Sequence, residues 1–155
     1  MTASTIGILL FDDVEELDAV GPWEVLAYWT RTYPEDGFSV MCLSRDGGPV
    51  TCAKGLVVGA HAALAEAPPL VAFVHPGGWG TRALMADEKH LARIRELRAS
   101  TDIMISVCTG SLVYAAAGLL PGRPATTHWG SLDSLAAADP TIQIRPDDRF
   151  VDDGD

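Results

Sequence analysis

The chain has 155 residues, the size of a single domain. With 48% hydrophobic and 21% charged residues it has the composition of a folded protein, not a disordered one, and no apolar run approaches the roughly 20 residues needed to cross a bilayer. Eleven Lys and Arg stand against 21 Asp and Glu, a formal charge of -10 that repels phosphate backbones and disfavours a nucleic-acid partner.

In chain order, Thr5 to Phe11 is a short Ile- and Leu-rich run suited to a strand covered on both faces. Leu17, Val20, Trp23, Val25, Leu26 and Trp29 then recur at helical spacing. Pro22 belongs in a first helical turn, where its missing N–H costs nothing, so the helix is expected from about Pro22 to Thr30. Phe38 to Ser44 reads as a strand, and Val50 to Cys52 with Leu56 to Gly59 as a small hairpin. Leu70 to His75 is a buried-strand run ending in Pro76-Gly77-Gly78, and Lys89 to Ser100 an amphipathic helix. Ile103 to Val107 is a β-branched strand running into Cys108-Thr109-Gly110-Ser111, followed by an apolar, buried helix over Leu112 to Leu120. Ala125 to Thr127 and Leu132 to Ala138 read as a short strand and a short helix. Ile142 to Ile144 and Arg149 to Val151 are expected to pair around Pro146-Asp147-Asp148. Strands alternating with helices argue for a three-layer α/β sandwich with a largely parallel sheet.

The strongest chemical feature is the junction at Cys108. A buried strand delivers the cysteine to a tight turn with a helix directly behind it, the arrangement of a nucleophile elbow. N–H groups at the helix start favour a thiolate and are expected to lower the thiol pKa. Cys42 and Cys52 lie inside strand-like runs and are expected to be core residues. Three cysteines without metal spacing suit reduced thiols in a cytoplasm, and Met1 to Thr5 offers no basic secretion signal.

Gly77, Gly78 and Trp79 follow a strand, and their N–H groups are candidate oxyanion donors for whatever Cys108 attacks. Asp18 is flanked by apolar residues. A carboxyl kept protonated by burial beside a thiolate acts as general acid. His128 and Trp129 lie on the connection after the cysteine helix. His75, at a strand end, is either pocket-lining or a satisfied structural residue, whereas His61 and His90 are expected at the surface. No cluster has metal-ligand spacing and the glycine turn is no phosphate loop, so neither metal nor nucleotide is expected.

Five ordered motifs carry a resemblance: Ile6 to Phe11, Leu17 to Val25, Pro76 to Arg82, Ser106 to Ser111, and Ala125 to Trp129. Together they resemble the PfpI-like superfamily (class I glutamine-amidotransferase-like), and within it they are most similar to the isonitrile hydratase branch. The resemblance implies a flavodoxin-like sandwich, a homodimer and a cofactor-free site built on Cys108 and the facing Asp18, with Thr109 contributing. PfpI-type peptidases place a histidine where Thr109 stands, which argues against peptidase chemistry. It implies as well a further strand, a glycine-containing turn and a long helix, so the single domain 1–155 is expected to lack its C-terminal strand and helix. The activity it implies is addition of water to a small-molecule isonitrile to give a formamide. Trp79 and Trp129 are then expected to wall off an apolar pocket. The same motifs head small-molecule-sensing domains of transcriptional regulators, and a redox-responsive or glyoxalase-type protein also uses an elbow cysteine.

Overall fold

A computed structural model describes residues 4–155. Strand β1 (Ser4–Leu9) is buried from Thr5 onward, as its unbroken apolar run requires. Helix α1 (Glu16–Thr32) follows, then β2 (Phe38–Ser44), the hairpin of β3 (Val50–Thr51) and β4 (Val57–Val58), and a two-residue strand β5 (Ala62–Ala63). Beyond these lie β6 (Leu70–His75), a short helix α2 (Thr81–Met85), α3 (Glu88–Ser100), β7 (Ile103–Ser106) and α4 (Gly110–Ala116). The chain closes with β8 (Pro124–Ala125), α5 (Leu132–Ala138) and β9 (Gln143–Ile144).

The main sheet has five parallel strands in the order β5-β2-β1-β6-β7. From β1 the chain steps one way to β2, whereas β6 steps the other way to β7. Right-handed crossovers therefore place α1 and α3 on opposite faces, which is the expected flavodoxin-like sandwich. Phe73, Ile8, Leu43, Ile94 and Val113 are fully buried in the core between these layers. Order reverses between β1 and β6, and ligands in such sheets bind beyond the carboxyl ends of the strands at that point. The segments after β1, β6 and β7 all emerge there.

Several elements depart from the sequence reading: β5 and α2 are not expected from it, and β8 covers Pro124–Ala125 where Ala125 to Thr127 is expected. Helix α1 begins at Glu16 and carries Pro22 in its second turn, where proline forgoes the bond to the Asp18 carbonyl. Tertiary ties hold the extra turn: the Glu15 N–H donates to Gly77 O at 2.9 Å, and the Glu16 carboxylate accepts the Lys54 N–H at 2.6 Å. Helix α4 ends at Ala116 because Gly118 takes a left-handed φ of 78°. Finally, β9 pairs in parallel with β8, and residues 149–151 form no strand. The Gln143 and Arg145 N–H groups donate to Arg123 and Ala125, leaving the last residues to be held by charge, with Arg98 on Asp155 at 2.5 Å and Arg123 on Asp153 at 2.9 Å.

Candidate active site

The elbow is strained. Cys108 has φ 54°, a left-handed conformation that few non-glycine residues adopt; strain of this kind costs on the order of 1–3 kcal/mol and persists only when neighbours over-determine it. Here the Ser111 hydroxyl donates to Cys108 O at 3.2 Å and the Thr127 hydroxyl at 3.0 Å, while Gly110 N–H closes onto Val107 O at 2.9 Å. Neither Ser111 nor Thr127 was singled out by the sequence. Their signal is positional only: a hydroxyl just after the elbow and another on the next connection.

The glycine turn is tied to the loop after β1. Val14 bridges Gly78, Glu15 N–H donates to Gly77 O and Gly80 N–H to Asp13 O. These bonds place Asp18, in the first turn of α1, directly over Gly77, whose N–H donates to Asp18 Oδ2 at 3.1 Å. Gly77 has no room for a side chain: a Cβ there would lie 2.6 Å from Thr109 N, 2.8 Å from Asp18 Oδ2 and 2.8 Å from Thr109 Oγ1. The acid, the elbow amide and the elbow hydroxyl thus converge on one point.

Gly77 and Gly78 do not serve as free oxyanion donors. The Gly77 N–H is engaged by Asp18, and the Gly78 N–H donates to Thr109 Oγ1 at 3.0 Å. The two amides aim side chains instead.

Cys108 and Asp18 are both half-buried, and each enters the other's ionisation. Burial pushes the Asp18 carboxyl up, while hydrogen bonds from the Cys108 thiol and the Gly77 N–H hold it down. Burial likewise pushes the Cys108 thiol up, and the Asp18 carboxylate adds to that; the Thr109 N–H and hydroxyl work in the opposite sense. The lowered thiol expected from the helix start is therefore reversed, by burial first and by the Asp18 carboxylate second. Repulsion vanishes once either group is neutral, so the pair favours holding one proton between them over carrying two anions.

Other candidates fall in different places. His75 does not line the pocket: it is 0% exposed, its Nδ1 lies 2.8 Å from Pro76 O and its Nε2 lies 3.1 Å from His90 Nε2. A carbonyl only accepts, so Nδ1 of His75 carries the proton and His90 must donate from Nε2. His90, expected at the surface, is buried by this pairing. His128 is exposed and accepts the Gly130 N–H on Nδ1 at 3.2 Å; its charge, when present, lowers the Asp18 carboxyl. His61 is at the surface as expected, and Cys42 and Cys52 are buried, with burial pushing the Cys42 thiol up to about 11.

Trp79 and Trp129 do not wall off a closed pocket. They are 71% and 81% exposed, Trp79 under the Arg82 guanidinium at 4.7 Å and Trp129 beside His128. Of the two, Trp129 lines a cavity and Trp79 does not. Cys108, His128 and Trp129 line one end of a cavity of about 1290 Å³ that continues along β7 to residues 146–155.

A model of the DJ-1/PfpI family matches residues 4–155. The isonitrile hydratase of Pseudomonas putida is 42% identical over 98% of this chain and 63% of its own. The HTH-type transcriptional regulator CdhR of Pseudomonas aeruginosa is 35% identical over 66% of this chain and 30% of its own. Among solved structures, a ThiJ/PfpI family protein from Pseudomonas syringae superposes with a TM-score of 0.81 at 31% identity, covering 99% of this chain and 61% of that one. The chain spans less than two thirds of the length of each of these relatives.

Proposed function

The chain belongs to the DJ-1/PfpI family, and from that premise we propose that it adds water to an isonitrile to give an N-substituted formamide, with Cys108 as nucleophile and Asp18 as general acid. One observation carries the reading: a half-buried carboxyl, raised by burial, meets the thiol of a left-handed elbow cysteine. Similarity to the Pseudomonas putida hydratase supplies the substrate class.

Asp18 transfers its proton to the terminal carbon of R–N≡C as the Cys108 thiolate attacks the same atom. The product is a thioformimidate, R–N=CH–S–Cys108. Water then adds its oxygen to that carbon and a proton to nitrogen, with the Asp18 carboxylate taking the second proton. The C–S bond breaks, R–NH–CHO leaves, and thiolate and neutral acid are restored. Since Gly77 N–H occupies Oδ2, the exchangeable proton of Asp18 belongs on Oδ1. No oxyanion forms in the first step, so that step draws on neither glycine amide; the oxyanion arises only on the tetrahedral adduct of the second step. The R group lies beside Trp129, in the cavity that Cys108 lines.

The reading includes a homodimer. Leu17, Val25 and Tyr28 are exposed on α1, beside the first turn that carries Asp18, and a second copy is the proposed cover. Similarity to CdhR supports a rival reading, a sensing domain whose pocket binds without turnover. Incubation with cyclohexyl isocyanide separates the two: the hydratase reading expects the formamide from the wild type and none from Cys108→Ala. A ligand-induced rise in melting temperature with no formamide supports the sensor.

A further inference from the structure

Pro76 and Gly77 share one peptide group, and both of its polar atoms are taken by side chains. The carbonyl accepts the Nδ1–H of His75 at 2.8 Å, and the N–H donates to Asp18 Oδ2 at 3.1 Å. Among the described residues the His75 ring is the one donor to that carbonyl. His75, Pro76 and Gly77 are all buried, so bulk water offers no ready substitute for either bond. On its far side the ring meets His90 Nε2 at 3.1 Å, which fixes the tautomer: Nδ1 carries the hydrogen and Nε2 accepts. Phe11 and Tyr114 pack against the ring at centroid distances of 5.5 and 5.8 Å. No step of the proposed hydration uses His75.

We propose that His75 is a positioning residue for Asp18, acting through the Pro76–Gly77 peptide: its Nδ1–H fixes and polarises that peptide, so that the Gly77 N–H is held on Asp18 Oδ2 as a strengthened donor. Amide resonance carries the effect, because a hydrogen bond to the carbonyl oxygen draws charge from the nitrogen and makes its hydrogen a better donor. A better donor favours the carboxylate and opposes the burial that raises Asp18. The bond thereby helps set the pH above which the acid gives up its proton. Three other groups face the same carboxyl: the Cys108 thiol, whose hydrogen bond lowers it, Glu15, which raises it, and His128, whose charge lowers it. His90 is faced in turn by Arg45 and Asp87. Burial holds His75 down to about 3 and lifts Asp18 above its usual range, so the His75 ring stays neutral while the acid titrates. The inference rests on Asp18 as general acid for its catalytic meaning, whereas its test needs no substrate.

The test is a carbon-13 NMR titration of the Asp18 carboxyl in the wild type, His75→Gln and His75→Asn, with the resonance assigned by Asp18→Asn and thermal melts alongside. Asparagine places an amide N–H where Nδ1 stands and gives up the bond to His90. Glutamine carries its amide toward the Nε2 position and gives up the bond to Pro76. His75→Gln is expected to raise the Asp18 midpoint by about half a pH unit. His75→Asn is expected to keep the wild-type midpoint, whichever of the two melts lower. An unchanged midpoint in folded His75→Gln, or a shift as large in His75→Asn, overturns the proposal. Should His75→Gln not fold, the wild type decides through its proton–nitrogen spectra. The His75 Nδ1–H and the Gly77 amide are expected to shift together at the Asp18 midpoint, and that shared component is expected to vanish in Asp18→Asn, where only the titration of His90 remains. A His75 Nδ1–H that does not respond to Asp18 overturns the proposal. Absent formamide with the expected NMR shifts refutes the hydratase reading alone, and formamide with a flat His75→Gln midpoint refutes the role of His75 alone.

Discussion

The Gly78 amide donates to the Thr109 hydroxyl at 3.0 Å, which makes the turn after β6 and the elbow after β7 a single unit. Gly77 extends that unit to α1 through its own amide on Asp18. Gly77→Ala forces a methyl against Thr109 N, a backbone atom that cannot yield. The expected result is a loss of about 1–3 kcal/mol in urea unfolding and an alkylation rate at Cys108 reduced roughly tenfold or more by displacement of Thr109.

Asp18→Asn separates acid catalysis from thiol ionisation. The carboxylate raises the Cys108 thiol, so its removal lowers the alkylation midpoint. Hydration, which needs the proton, is expected to be lost. Faster alkylation together with absent formamide is the signature, read from stopped assays at neutral pH.

Stability is expected to fall in acid through His75 and His90. Burial holds His75 down to about 3 and His90 down to about 4, against about 6.5 in the unfolded chain. Both are neutral when folded, so the unfolded state binds more protons below pH 6.5 and unfolding is favoured as pH drops. The contribution is intact above about pH 6.5 and is lost progressively toward pH 4, each proton adding about 1.4 kcal/mol per pH unit. Urea midpoints between pH 7.5 and 4 measure that slope, and His90→Gln is expected to flatten it.

Val25→Glu places a charge within the exposed stripe of α1. If two copies meet there, the variant is expected to sediment as a monomer while the wild type sediments as a dimer, with the melting temperature of the isolated fold little changed.

Much of this arrangement was legible in the residues. β2, β6 and α5 coincide with their expected spans because apolar period and flanking Gly or Pro agree there. The elbow was legible because a β-branched strand running into Cys-Thr-Gly admits few other folds. Asp18 over Gly77 was not, since the bonds that place it join segments some sixty residues apart. Pro22 misled for a local reason: proline preference marks a first turn, and tethers from Glu15 and Glu16 overrode it. The buried state of His90 depends on a partner, His75, that only the fold supplies. The exposure of Trp79 and Trp129 escapes composition altogether, because a tryptophan beside glycine reads equally as wall or rim.

The central claim is a covalent bond between the isonitrile carbon and the Cys108 sulfur, and intact-protein mass spectrometry of rapidly quenched reactions tests it most directly. The expected result is a wild-type species heavier by one isonitrile, mapped to the peptide containing Cys108 and absent from Cys108→Ala, which makes no formamide. Formamide production by Cys108→Ala at the wild-type rate, with no adduct on the wild type, would contradict it.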